Sequence, residues 1–257
     1  MIVLKDLYKK FGTLQVLAGL NLEVKAGEVL VILGPSGTGK SVLLKHIIGI
    51  CKPDSGSIEV NGVEITHLEG AELYQITIGM GMLFQGAALF DSMTVEENTA
   101  FFLREHGHIK EKRAYSEKEI EEIVDFSLSQ VGLKGTQKKM PASLSGGMKK
   151  RAGLARLIAY RPSLLLYDEP TTGLDPITSM QINELIVQTQ KELQGTSIVV
   201  THDIFSALFI ADRIALMKEG KIAYIADPEN FLKIDDPLIN FLKRTICEDP
   251  RSFKRKA

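Results

Sequence analysis

The sequence predicts an α/β fold: a mainly parallel sheet covered on both faces, with an antiparallel β edge at the start and a helical insert in the middle. Three observations carry this expectation. Residues 29–33 and 164–167 are unbroken apolar runs of strand length, and 197–201 is nearly so, as strands buried on both faces are. Each run leads into a stretch with helical spacing, and alternation of strand with helix is the mark of parallel architecture. Between the first run and the other two, residues 95–131 keep helical character.

Taken in order, residues 2–8 and 16–24 alternate or cluster apolar side chains and read as strands, with turns at Phe11-Gly12 and Ala26-Gly27. The strand 29–33 runs into a glycine-rich loop, after which Val42, Leu43, Leu44, Ile47 and Ile48 form the broad apolar face of a buried helix. Pro53-Asp54-Ser55-Gly56 is a turn, and 57–60 a short strand closed by the hairpin signal Asn61-Gly62. Residues 76–84 are a further strand candidate, ending at Gln85. In the insert, Ile120, Ile123, Val124, Leu128 and Val131 mark one helix face. Residues 104–115 are polar and expected as loop, where His106 and His108 are read as solvated rather than as metal ligands. From about residue 144 the pattern is helix, strand, helix, strand, helix, with Gly195 expected to stop the helix that carries Ile182, Leu185, Ile186, Thr189 and Leu193. Residues 213–224 read as two strands about Glu219-Gly220-Lys221, and 237–246 as a final amphipathic helix.

With 257 residues, 44% of them apolar, the chain can bury a large core. The expected organisation is a single domain over 1–245, with the helical insert at about 86–160 and a tail at 246–257. A formal net charge of -1 gives no broad basic face, so nucleic acid is not an expected partner. Cys51 and Cys247 are far apart, which is no disulfide framework and fits a reducing compartment. No stretch approaches the 18 apolar residues of a membrane span, and residues 1–6 lack the form of a signal peptide. Work at a membrane would need spans supplied by another subunit.

Gly34-Pro35-Ser36-Gly37-Thr38-Gly39-Lys40-Ser41 matches G-x-x-x-x-G-K-[ST], and it stands between a strand and a helix as that phosphate-binding loop must. Its glycines let backbone N–H groups close around phosphate oxygens. Lys40 would reach the β- and γ-phosphates and Ser41 would ligate Mg²⁺. A bound nucleoside triphosphate is expected. Leu164-Leu165-Leu166-Tyr167-Asp168-Glu169-Pro170 is a hydrophobic strand ending in two carboxylates, placed at the sheet edge where such loops lie. Asp168 can hold Mg²⁺ opposite Ser41, and Glu169 can polarise an attacking water. Leu144-Ser145-Gly146-Gly147-Met148 precedes a helix; alone it would be only a good N-cap with a permissive turn.

With these motifs in this order, the chain resembles the nucleotide-binding subunits of ABC transporters. Gln85 corresponds to their Q-loop, 144–148 to the signature, 164–169 to Walker B, Gly173-Leu174-Asp175 to the D-loop and His202 to the switch histidine. The resemblance implies ATP and Mg²⁺ as ligands, with Phe11 stacking on adenine where tyrosine is more usual. Gln85 would sense Mg²⁺ and the attacking water, and His202 would contact the γ-phosphate. Ser145, Gly146 and Gly147 would complete the nucleotide site of a second copy. Residues 84–95, 103–106, 140–148 and 168–177 further resemble the ATPases of the Mla (maintenance of lipid asymmetry, Ttg2A-like) phospholipid systems. Membership there would imply a multispanning permease and an MCE-domain lipid-binding protein as partners, at the cytoplasmic face of the bacterial inner membrane. The alternatives are a soluble, non-transport ABC ATPase, or a transporter ATPase for another hydrophobic substrate. A small-molecule kinase would leave 144–148 and His202 unexplained.

Overall fold

Strands that are apolar on both sides need two covering layers, and the chain supplies both. The computed structural model describes residues 2–108 and 111–247. β1 (Ile2–Phe11) and β2 (Leu14–Val24) form an antiparallel ribbon, and β3 (Val29–Leu33) follows. The glycine loop then opens α1 (Lys40–Ile47), and β4 (Ser55–Val60) and β5 (Val63–Glu64) return to the ribbon. These strands make one antiparallel sheet in the order β2-β1-β4-β5.

Next come α2 (Gly70–Thr77) and β6 (Met80–Leu83), then α3 (Val95–His106), α4 (Glu117–Gln130) and α5 (Gly146–Tyr160) in sequence. The chain re-enters the core with β7 (Leu164–Asp168), α6 (Pro176–Leu193), β8 (Thr196–Thr201) and α7 (Ile204–Ile210). It continues through the hairpin β9 (Arg213–Lys218) and β10 (Lys221–Ala226) to α8 (Pro228–Phe231) and α9 (Pro237–Cys247). The second sheet has the order β10-β9-β3-β8-β7-β6, parallel except at β10.

Alternation divides the core in two. Val29, Val31 and Leu33 of β3, with Leu165 and Tyr167 of β7, face the helices α3 to α7. Leu30 and Ile32, with Leu164 and Leu166, face α1 and the antiparallel sheet. Fully burying a side chain of this size contributes about 1.5–3 kcal/mol, so both faces of the sheet are strongly specified. In the insert, α3 and α4 each begin with a reciprocal capping box, Thr94 with Glu97 and Ser116 with Glu119.

Several elements differ from the sequence expectation. Residues 76–84 are not one strand: α2 ends at Thr77 and β6 starts at Met80. The β-branched run Ile76-Thr77-Ile78 hid a helix that buries no residue fully and so has only a weak apolar stripe. Gln194, not Gly195, takes the left-handed conformation that ends α6, at φ 49. Gly195 instead allows close approach, because a Cβ there would lie 3.0 Å from the Ser163 carbonyl oxygen. The loop expected at 104–115 starts later, since α3 runs to His106, whose Nδ1 is 2.7 Å from the Tyr74 hydroxyl. His106 is thus engaged rather than simply solvated. The last helix reaches Cys247, and the basic run 251–256 of the expected tail lies outside the described residues. Among the described residues no helix is long and apolar enough to cross a membrane.

Candidate functional site

Parallel strands bring their C-terminal ends to one edge, and at this edge β3, β8 and β7 stand side by side. The loop from Gly34 to Gly39 leaves β3, Glu169 follows β7, and His202 follows β8. Gly37 and Gly39 have φ of 83° and 99°, where L side chains are strained. A Cβ on Gly39 would come within 2.9 Å of the Val16 side chain, so glycine is required there twice over. The loop is closed by Thr38, whose hydroxyl donates to the Pro35 carbonyl at 2.9 Å, and anchored by the Gly34 N–H on the Thr201 carbonyl at 3.3 Å. Side chains cap α3, α4, α5, α6 and α7, but none caps α1. Its first-turn N–H groups suit an anion held in the loop.

The charged groups converge on Glu169. The Lys40 ammonium, only 5% exposed, donates to the Gly34 carbonyl at 2.8 Å and the Pro35 carbonyl at 3.0 Å, and stands 3.4 Å from Glu169 Oε1. Glu169 Oε2 accepts the Thr172 hydroxyl at 2.9 Å and lies 2.8 Å from His202 Nδ1. The Ser41 hydroxyl donates to Asp168 Oδ1 at 2.7 Å. Glu169 itself adopts φ 49, its N–H donating to the Val200 carbonyl at 3.0 Å and its carbonyl accepting the buried Lys150 ammonium at 3.1 Å. Burial pushes the Lys150 ammonium below its ordinary pKa, against the opposing pull of Asp168 and Glu169.

An open cleft of about 410 Å³ lies over these groups, lined by Ser36, Gly37, Gly39, Lys40, Ser41, Gln85, Glu169, Thr172 and His202, with Asp168 behind Ser41 rather than on the lining. Gln85 reaches it from the end of β6. Not every expected residue is there. Phe11 ends β1, 49% exposed and with its ring 5.6 Å from the Lys9 ammonium, outside the cleft lining; Val16 and Val42 are the apolar side chains that line it. Ser145 caps α5 through the Met148 N–H at 3.3 Å, and Ser145, Gly146 and Gly147 are likewise outside the cleft. They abut the 173–178 segment instead: a Cβ on Gly147 would meet the Thr178 methyl at 2.6 Å. In that segment the Asp175 carboxyl is held low, first by the Thr178 hydroxyl and then by the Thr178 N–H.

Sequence reasoning missed Lys150 and Thr172. Lys150 sits in a Lys-Lys-Arg run that looks solvent-facing, and Thr172 in a Thr pair, and neither spacing announces a contact with Glu169.

Chemically, the cleft offers a cradle of N–H donors, one buried cation, a hydroxyl–carboxylate pair and a carboxylate tied to an imidazole. That set can bind polyphosphate and accept a proton beside it. Residues 17–172 match the family described as ABC transporter. The intermembrane phospholipid transport ATP-binding protein MlaF of Haemophilus influenzae is 42% identical over the whole of this chain and 95% of its own length. The probable ribonucleotide transport ATP-binding protein mkl of Mycobacterium leprae is also 42% identical, over 93% of this chain and 67% of its own. Among solved structures, a dimeric ATP-binding cassette in a post-hydrolysis state with ADP and Pi is similar with a TM-score of 0.80 at 32% identity. That match covers 89% of this chain and 99% of the other. The chain belongs to the ABC transporter family and is one of its ATPases.

Proposed function

We propose that this chain is the energising subunit of a transporter that moves phospholipid, or a related lipid, between membranes. The observation that carries the hydrolytic part is the convergence of Lys40, Ser41, Glu169 and His202 on one cleft, with Asp168 bonded to Ser41 behind it. For the lipid part, support comes from full-length likeness to a protein named for intermembrane phospholipid transport. The mycobacterial relatives, named for ribonucleotide transport, favour a second reading in which the cargo is another solute.

In this reading the loop 34–41 and Lys40 hold the phosphates of ATP. Ser41 and Asp168 are hard oxygen donors already 2.7 Å apart, which fits Mg²⁺. Among the described residues no group of three or more His, Cys, Asp and Glu side chains can hold a metal, so Mg²⁺ would rely on Ser41, Asp168 and the Gln85 side-chain carbonyl oxygen from this chain and take its other ligands from phosphate and water. When bound, it would neutralise charge on the phosphate oxygens. Glu169 accepts the proton of the attacking water, and His202 and Thr172 hold its carboxylate in place. Gln85 orients the water, and Phe11 is assigned to the adenine ring. Ser145, Gly146 and Gly147 serve the nucleotide of a second copy, a role in keeping with their distance from their own cleft and with the dimeric cassettes this fold resembles. The remaining partners are a multispanning permease and, on the Mla reading, an MCE-domain protein. The chain would then sit peripherally at the cytoplasmic face of a bacterial inner membrane.

The test is to purify the chain from gently solubilised membranes and identify what comes with it. A hydrophobic permease with bound phospholipid, and ATPase activity in the complex, is the expected result. A complex whose ATPase responds to ribonucleotide and carries no lipid would replace this reading with the second.

A further inference from the structure

The helix that opens with Ser145 is tied to the hydrolytic glutamate by one buried charge. Lys150 lies a little over one turn into α5, is 5% exposed, and donates to the Glu169 backbone carbonyl at 3.1 Å. That carbonyl belongs to a residue held at φ 49, in the left-handed region that a glutamate rarely adopts. The peptide on the other side of Glu169 is fixed by its N–H on Val200. Thr172, His202 and Lys40 control where the carboxylate points, while the backbone from which it hangs is held by Val200, by the Thr172 N–H on the Glu169 carbonyl at 3.3 Å, and by Lys150, which alone of these ties it to α5. Neutral donors on the loop would satisfy that carbonyl equally well. A buried ammonium is a costly choice for the task unless its attachment to α5 matters.

Farther along the same helix the arrangement is repeated. Arg156 donates to the Ala88 carbonyl at 2.9 Å and the Ala87 carbonyl at 3.0 Å, and these two residues are also left-handed, at φ 46 and 63. They lie just beyond Gln85. So α5 grips, through two cations, the strained backbone next to Glu169 and the strained backbone next to Gln85.

We propose that Lys150 is a positioning residue for ATP hydrolysis. It transmits the placement of the Ser145 end of α5 to the backbone of Glu169, so that the glutamate is set for proton transfer only when that helix is seated. The inference rests on Glu169 being the proton acceptor.

Lys150→Met removes the donor and keeps the chain length, and Lys150→Gln keeps a donor without the charge. Both are compared with Glu169→Gln in the full-length protein, reading kcat and KM for MgATP, equilibrium binding of a fluorescent ATP analogue, and Tm. For Lys150→Met we expect kcat to fall about 10- to 100-fold, the scale of a misplaced catalytic group, with KM and analogue binding within about twofold. Lys150→Gln should recover most of kcat, and the double variant Lys150→Met/Glu169→Gln should be no slower than Glu169→Gln alone. A Lys150→Met protein with wild-type kcat would overturn the proposal. So would multiplicative losses in the double variant, or a Lys150→Gln protein as slow as Lys150→Met with Tm and activity falling together. Should Lys150→Met fail to fold, the Lys150→Gln protein decides by the same kcat and double-variant criteria. If Glu169→Gln itself turns over at the wild-type rate, it is the assignment of Glu169 that fails.

Discussion

At the scale of single residues, the site is built from contacts that hold one glutamate in an unfavourable backbone conformation. A non-glycine residue at φ 49 gives up about 1 kcal/mol or more, which the surrounding bonds must offset. Glu169→Gln keeps the size and removes the proton acceptor. Hydrolysis should slow by at least roughly 10²-fold while ATP binding is retained, as single-turnover rates and an equilibrium titration would show. Lys40→Ala acts on the opposite quantity. It removes the cation from the loop and leaves Glu169 Oε1 without its neighbour at 3.4 Å, so nucleotide affinity itself should be lost. An affinity equal to that of the wild type in the same titration would contradict the assignment of the cleft. Asp168 and Glu169 could be read from the sequence because they end an apolar strand, and Ser41 because it closes the glycine-loop motif, whereas His202 came from the family resemblance. Lys150 could not, because its partner is a backbone carbonyl whose position only the assembled fold decides.

At the scale of elements, the segment between β6 and α3 is held by Arg156 at Ala87 and Ala88 and by one buried amide at residues 90–94. Asn98, fully buried, accepts the Phe90 N–H at 2.8 Å, and its two amide hydrogens are shared among the carbonyls of Phe90, Met93 and Thr94, all 3.0–3.1 Å from Nδ2. Asn98→Ala should cost about 2–4 kcal/mol, at roughly 1 kcal/mol per buried hydrogen bond, and raise amide exchange in residues 88–94. That clamp presents Phe90, 42% exposed, with its ring 4.7 Å from that of Phe101. On the proposed transporter reading, that exposed ring is where we expect the permease to be anchored. Phe90→Ala should weaken co-purification with the permease by about 2 kcal/mol or more and leave basal ATP hydrolysis of the isolated subunit intact. Normal complex formation would place the anchor elsewhere. Helix α4 was legible because Ile120, Val124 and Leu128 mark a face that the fold buries. Helix α2 was not, because it lies on the surface with no buried residue, and its β-branched end imitates a strand.

At the scale of the molecule, the separation between the cleft and the Ser145 end of α5 predicts a cooperative pair. Subunits carrying Ser145→Arg and subunits carrying Lys40→Ala should each be inactive as homodimers. Mixed together, they should regain activity up to one competent site per heterodimer, measured as ATPase rate against mixing ratio. No recovery at any ratio would leave no support for shared sites. The parallel sheet was predictable from strand and helix alternation, but its strand order was not, since nothing local says which strand lies beside which. That order has a consequence for how the protein is born. β8 inserts between β3 and β7, yet it is synthesised after both. Until residues 196–201 leave the ribosome, β3 has no partner in this sheet, since β8 and β9 both come later, and β7 is paired only with β6, so the loop and the two carboxylates stand on unconnected strands. Nucleotide cannot bridge them and so cannot stabilise the nascent chain by mass action. The growing polypeptide must pass most of its synthesis as an unliganded intermediate with unpaired β edges on β3 and β7, the stage at which aggregation competes with folding.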